Sequence, residues 1–172
     1  MWYAVILSFY ILVAALLYGR YRRDTAWVLV SKTLTSLAFV AAALLALREN
    51  PGAAGYALWI LTGLALSVGG DILLVYGERP RAFLWGLSLF LLAHIAYGVV
   101  FTMVSGLQVW DAVFFLLLTG IGVTVRRFAR IDLREMTIAV ALYLLAISYM
   151  AAQAFSIYLA QGPTGLAVMS GL

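Results

Sequence analysis

Apolar residues along this chain fall into six long runs, at about residues 2–18, 26–47, 56–76, 82–104, 109–125 and 136–160, joined by short polar connections. Each run is close to the ~20 residues that a helix needs to cross a bilayer. Stretches such as "AWVLVSKTLTSLAFVAAALLAL" and "FLWGLSLFLLAHIAYGVVFTMV" are apolar almost without interruption, whereas a membrane β-strand alternates apolar and polar residues over about ten positions. The pattern predicts an all-α, polytopic transmembrane helix bundle with six complete spans. Turn and cap residues mark the connections "RENPGAAG", "GERPR" and "QGPTG". No linker separates the runs, so residues 1–172 form a single transmembrane domain. After the sixth run, "GPTGLAVMSGL" opens a seventh apolar run. It reads as the start of a further span, and the domain is expected to be truncated at its C-terminus.

Composition agrees with this pattern. The chain is 66% hydrophobic and 10% charged, against roughly 25% charged residues in a soluble domain, which leaves too little polar surface for a water-facing shell. There is no cysteine, which excludes disulfides and thiolate metal sites. The single histidine, His94, cannot by itself build a multi-histidine zinc centre. Neither a metal nor a cofactor is expected.

The net charge of +4 is explained by topology and does not call for a nucleic-acid partner. Arg20, Arg22 and Arg23 follow the first run, Arg79 and Arg81 the third, and Arg126, Arg127, Arg130 and Arg134 the fifth, so nine of the 11 basic residues lie on one side. Arg48 lies in a connection on the other side, and Lys32 within a run. The positive-inside rule then puts the N-terminus outside and the arginine-rich connections in the cytoplasm, as for a bacterial inner-membrane protein. The first run has no basic residue before it and three arginines after it. That is the reverse of a signal peptide, so it reads as a retained helix.

Polar residues inside the runs are the candidates for chemistry. Asp71 lies about six residues inside the third run, roughly 9 Å deep at 1.5 Å per residue. A carboxylate there costs about 2.5 kcal/mol or more, and intramembrane ionisable groups are functional by default. Residues three and four apart share a helix face, which groups Gly63, Ser67, Gly70 and Asp71 in the third run. The same rule groups Lys32, Thr35, Ser36 and Phe39 in the second, and Gly86, Phe90, Ala93, His94 and Tyr97 in the fourth.

The three stripes are expected to face one another. Lys32 would lie at the depth of Asp71, and His94 and Tyr97 deeper, at about 18 Å for His94. The predicted site is a cavity open to the cytoplasmic leaflet, whose shape suits an amphiphile with a polar head and a chain, such as a membrane lipid. Asp71, His94, Lys32, Ser67 and Tyr97 are its candidate functional residues. Plainer readings stand beside these. Lys32 and Asp71 also suit a structural ion pair, His94 a core histidine donating to a backbone carbonyl, and Ser67 and Thr35 hydroxyls bonded to their own helix. Trp59, Trp85 and Trp110 read as interface-belt or packing residues, and Glu49 and Asp111 as solvated groups at the outer surface.

With these residues collected, the sequence resembles the YhhN family of membrane proteins, whose characterised animal relatives are lysoplasmalogenases. The resemblance rests on "GLALSVGGDILL" (Gly63 to Leu74) and "FLWGLSLFLLAHIAY" (Phe83 to Tyr97). Lys32 in "SKTLTSL" fits the family's Lys-Pro pair at the second span, with Thr33 in place of the proline, and "YLLAISYMAAQAF" (Tyr143 to Phe155) fits a later span. The resemblance implies about eight spans and a second aspartate in a Ser-Asp pair of span seven. It also implies hydrolysis of the vinyl ether of a lysophospholipid, with Asp71 as one of two acids, His94 or Tyr97 orienting it or a water, and Lys32 tuning its charge or meeting the head-group phosphate. A lipid transporter or flippase would use the same cavity, although no run contains the proline interruptions common in transporters. A non-catalytic membrane subunit would need only the Lys32–Asp71 pair.

Overall fold

A computed structural model describes residues 2–128 and 136–161, and within these residues the chain is helical with no strand. Six long helices follow in order: α1 (Trp2–Arg22), α2 (Thr25–Glu49), α3 (Ala54–Val75), α4 (Pro80–Ser105), α5 (Val109–Phe128) and α6 (Thr137–Gln161), with a 3₁₀ turn at Pro51–Ala53 before α3. Five of them, α2 to α6, are each long and apolar enough to cross a membrane. α1 is apolar from Trp2 to Tyr18 as well. The chain is a multi-pass membrane protein. Each expected run coincides with one helix. The predicted seventh run, together with Arg130 and Arg134, lies outside the described residues.

Local chemistry sets the helix ends. The Asp24 side chain accepts from the Trp27 backbone N–H at 3.0 Å and caps α2. Pro80 opens α4 at a position that needs no N–H donor. Gly106, with φ of 68°, turns the chain out of α4 in a conformation that favours glycine. Trp27 then reaches back across the first hairpin and donates its indole N–H to the Ala15 carbonyl at 2.8 Å.

The helices pack in the sequence α1–α2–α3–α4–α6–α5, with α6 between α4 and α5. Closest approach comes at α3 and α4, where glycines face each other. A Cβ on Gly70 would lie 2.7 Å from the Phe90 ring and 3.2 Å from the Gly86 carbonyl oxygen, and a Cβ on Gly86 would lie 3.3 Å from the Gly70 oxygen. Lipid tails are as apolar as leucine, so contacts of this kind, rather than a hydrophobic drive between helices, hold a membrane bundle together. Large apolar side chains such as Leu116 and Met103 point outward, and so do Trp59, Trp85 and Trp110, as expected for side chains facing lipid and its interfaces.

Candidate functional site

The stripes of α2 and α3 meet as the sequence requires. Lys32 Nζ lies 2.9 Å from Asp71 Oδ1, and each side chain keeps about 20% of its surface exposed. It is the one ion pair among the described residues. Ser36, one turn beyond Lys32 on the same face, donates its hydroxyl to the other carboxylate oxygen, Oδ2. Asp71 is thus held at both oxygens by α2, and its remaining surface faces a cavity of about 370 Å³. The walls of that cavity include Leu16 from α1, Thr35 and Phe39 from α2, and Leu64 and Ser67 from α3.

Ser67 lies 3.5 Å from the Tyr97 hydroxyl. The Tyr97 ring packs over Gly63, where the missing side chain makes room for it. Ser67 therefore links the cavity to α4, as its place in the α3 stripe implied. Thr35 donates to the Ser31 carbonyl at 2.7 Å, the i−4 bond expected of it.

His94 departs from the expected arrangement. The α4 face turned to α3 carries Gly86, Phe90 and Tyr97, and His94 lies at its edge, turned towards α6. Its Nδ1 lies 2.6 Å from the Phe90 carbonyl oxygen. A carbonyl only accepts, so Nδ1 carries the hydrogen of this bond. The ring stacks edge-on against Tyr143 of α6 with centroids 5.3 Å apart. It lines a separate cavity of about 330 Å³ between α4 and α6, with Thr102, Ala146 and Tyr149. The single shared cavity is corrected to two: Asp71, Lys32 and Ser67 line one, His94 the other.

Asp111 also departs from expectation. It is 6% exposed instead of solvated, three residues into α5 and against α6. Its Oδ2 accepts from the Gln108 backbone N–H at 2.7 Å and from Gln153 Nε2 at 2.9 Å. The first bond closes the N-terminus of α5 in the manner of a capping box. Tyr149 donates to Thr102 at 2.7 Å, and Ser105 lies 3.4 Å from Gln153 Oε1, so one polar network ties α4, α5 and α6. Gln153, fully buried in the middle of "YMAAQAF", was the legible sign of it, because an amide inside an apolar span needs partners.

Replacing that amide tests the network. Gln153→Leu should unfold more easily, by about 1–3 kcal/mol, since it leaves Asp111 with one donor in place of two. The folded variant should keep the properties of the Asp71 cavity, which lies across α3 and α4 from it. Unfolding in graded denaturant checks the first point.

The family model for the YhhN family matches residues 26–172, which include every residue of the Asp71 cavity from α2 and α3. The chain belongs to the YhhN family. No curated protein and no solved structure matches it. The match covers α2 to α6 and leaves out α1, which adds Leu16 to the cavity wall of this YhhN protein.

Proposed function

We propose that this YhhN protein is a membrane-embedded hydrolase that opens the vinyl ether bond of a lysoplasmalogen-like lysophospholipid, releasing a fatty aldehyde and a glycerophospho-base. The observation that carries the reading is Asp71. Its carboxylate lies inside an apolar helix, held by Lys32 and Ser36, and still opens onto a cavity with largely apolar walls. Such a cavity admits a single acyl-like chain beside a charged pair.

The pair suits the chemistry. A vinyl ether hydrolyses by slow proton transfer to carbon, which leaves an oxocarbenium ion for water to capture. The Lys32–Asp71 pair holds one transferable proton shared between ammonium and carboxylate. Delivery of that proton to the outer vinyl carbon leaves an amine and a carboxylate, a net negative charge facing the new cation. Water then adds to the oxocarbenium carbon and returns its proton to the pair, and the hemiacetal collapses to aldehyde and alcohol. Charge placed in advance where the transition state develops charge is the strongest catalytic device available in a dry site. Ser36 fixes the carboxylate, and Ser67 offers a hydroxyl to the attacking water or the glycerol. His94, facing the other cavity, takes no step.

The test is aldehyde release by the full chain from a vinyl ether lysophospholipid, beside the saturated alkyl ether of the same head and length. Release from the first alone, slowed in D₂O because a proton moves in the slow step, is expected. No release from the vinyl ether lipid would sink the reading.

The same reading includes the bacterial inner membrane with the N-terminus outside. A reporter fused in "VRRFARIDLRE" should then signal cytoplasm, and one in "RENPGAAG" the outside. Reversed signals would put the open end of the Asp71 cavity on the other leaflet.

A further inference from the structure

A third cavity lies one helical turn from that of Asp71. It measures about 410 Å³ and is lined by Arg20, Arg23, Asp24, Thr25, Val28, Leu74, Val75 and Glu78. The two cavities use the same helix faces at successive turns. Leu16 and Arg20 are four apart on α1, Val28 and Lys32 four apart on α2, and Asp71 and Val75 four apart on α3, and residues at that spacing share a face. The Asp71 cavity is apolar at Phe39 and Leu64 and carries the ion pair, and one helical turn further along the same three faces lies a charged mouth.

The mouth holds charges of both signs without pairing them. Arg20, Arg23 and Glu78 are exposed and take no ion-pair partner among the described residues. Asp24 is partly engaged by the Trp27 N–H. Lys32, bound to Asp71, is not free to hold an anion. Resting on the proposed hydrolase, we infer that this mouth is a head-group subsite selecting a zwitterionic phosphodiester head, with Arg20 and Arg23 taking the phosphate and Glu78 the terminal amine. Guanidinium groups suit phosphate oxygens through paired N–H donors.

Spacing along these faces allows this. Val75 of the mouth is four residues beyond Asp71 on α3, on the order of 6 Å along the axis, and Glu78 follows in the turn after that helix. In a glycerophosphoethanolamine lipid, nine bonds separate the amine nitrogen from the ether oxygen on the terminal carbon of the glycerol. At roughly 1.2 Å per bond of extended chain that is about 11 Å, longer than the step from Asp71 to Val75. A head seated at the mouth is therefore long enough for its ether bond to reach the Lys32–Asp71 pair.

The test uses non-hydrolysable monoacyl lipids, so that it does not depend on catalysis by Asp71. Native mass spectrometry of the purified full chain would compare monoacyl phosphatidylethanolamine with monoacyl phosphatidylglycerol. Exposed charge pairs are weak, so the wild type should prefer the zwitterionic head by about fivefold. Glu78→Gln should abolish that preference and leave phosphatidylglycerol binding unchanged. Arg20→Gln with Arg23→Gln should weaken both lipids alike, whereas the two Arg→Lys changes, which keep the charge that sets topology but lose the paired donors, should bind between the wild type and the Gln pair. Free glycerophosphoethanolamine should compete far less well than the lipid. No preference in the wild type, an unchanged preference in Glu78→Gln, or equal competition by the free head group would each overturn the subsite. Loss of hydrolysis with the preference intact would count against the hydrolase reading alone.

Discussion

Asp71→Asn should lose hydrolysis by about 10²–10⁴-fold, the range that a positioned acid–base group supplies, and should also lose stability. Burial alone would argue the opposite, because an amide is cheaper than a carboxylate inside an apolar helix. The 2.9 Å contact with Lys32 reverses the sign, since the amide leaves the ammonium without its counter-charge. A fully buried pair broken in this way costs about 3–5 kcal/mol. Both groups here keep a fifth of their surface exposed, which brings the expected cost below that range. Lost stability and lost activity would then be confounded, and the double variant Lys32→Met/Asp71→Asn separates them. Replacing both members of an ion pair by neutral groups of similar size is often neutral or stabilising. The double variant should recover the melting temperature and stay inactive. Recovery of activity along with stability would show that the pair only joins α2 to α3, and the catalytic reading would fall.

The Lys32–Asp71 pairing was legible in the sequence because two quantities coincide. Each residue lies about six positions inside its run from the same side of the membrane, and each belongs to the single polar stripe of its helix. Ser36 was on the same stripe, four residues from Lys32, but nothing in the pattern distinguishes a hydroxyl bonded to its own helix from one bonded across an interface. Ser36 has a contact of each kind, with the Lys32 carbonyl at 3.0 Å and with Asp71.

His94 was misplaced for a geometric reason. Ala93 and His94 are neighbours in sequence, and successive residues on a helix point about 100° apart. A stripe wide enough to include both spans two interfaces, and α4 has α3 on one side and α6 on the other. Periodicity identifies the buried face of a helix but not the neighbour that buries it. Asp111 was misread for a related reason. Its nearness to the end of a run suggested solvent, whereas its burial depends on a partner, Gln153, that lies 42 residues away.

Gly70→Ala should be a damaging substitution for its size. Helix propensity favours the change by up to about 1 kcal/mol, so a loss must come from packing. The new methyl group would lie 2.7 Å from the Phe90 ring, which is a side chain, and 3.2 Å from the Gly86 carbonyl oxygen, which belongs to the backbone of α4 and moves only with the helix. Overpacking of this kind costs about 1–3 kcal/mol. α3 must shift away from α4, and Asp71, the next residue along, shifts with it. A displacement near 1 Å at a reacting group lowers rates by about 10²-fold. Activity should therefore fall by more than the loss of folded protein accounts for. Gly120→Ala on α5 is the control, because a Cβ there meets nothing within 4 Å, and it should be neutral or slightly stabilising. Adding Phe90→Leu to Gly70→Ala should recover part of the stability and little of the activity, since the clash with the Gly86 oxygen remains. Full recovery would mean that the Phe90 ring alone sets the distance between α3 and α4, and that the backbone approach at Gly70 and Gly86 does not position Asp71.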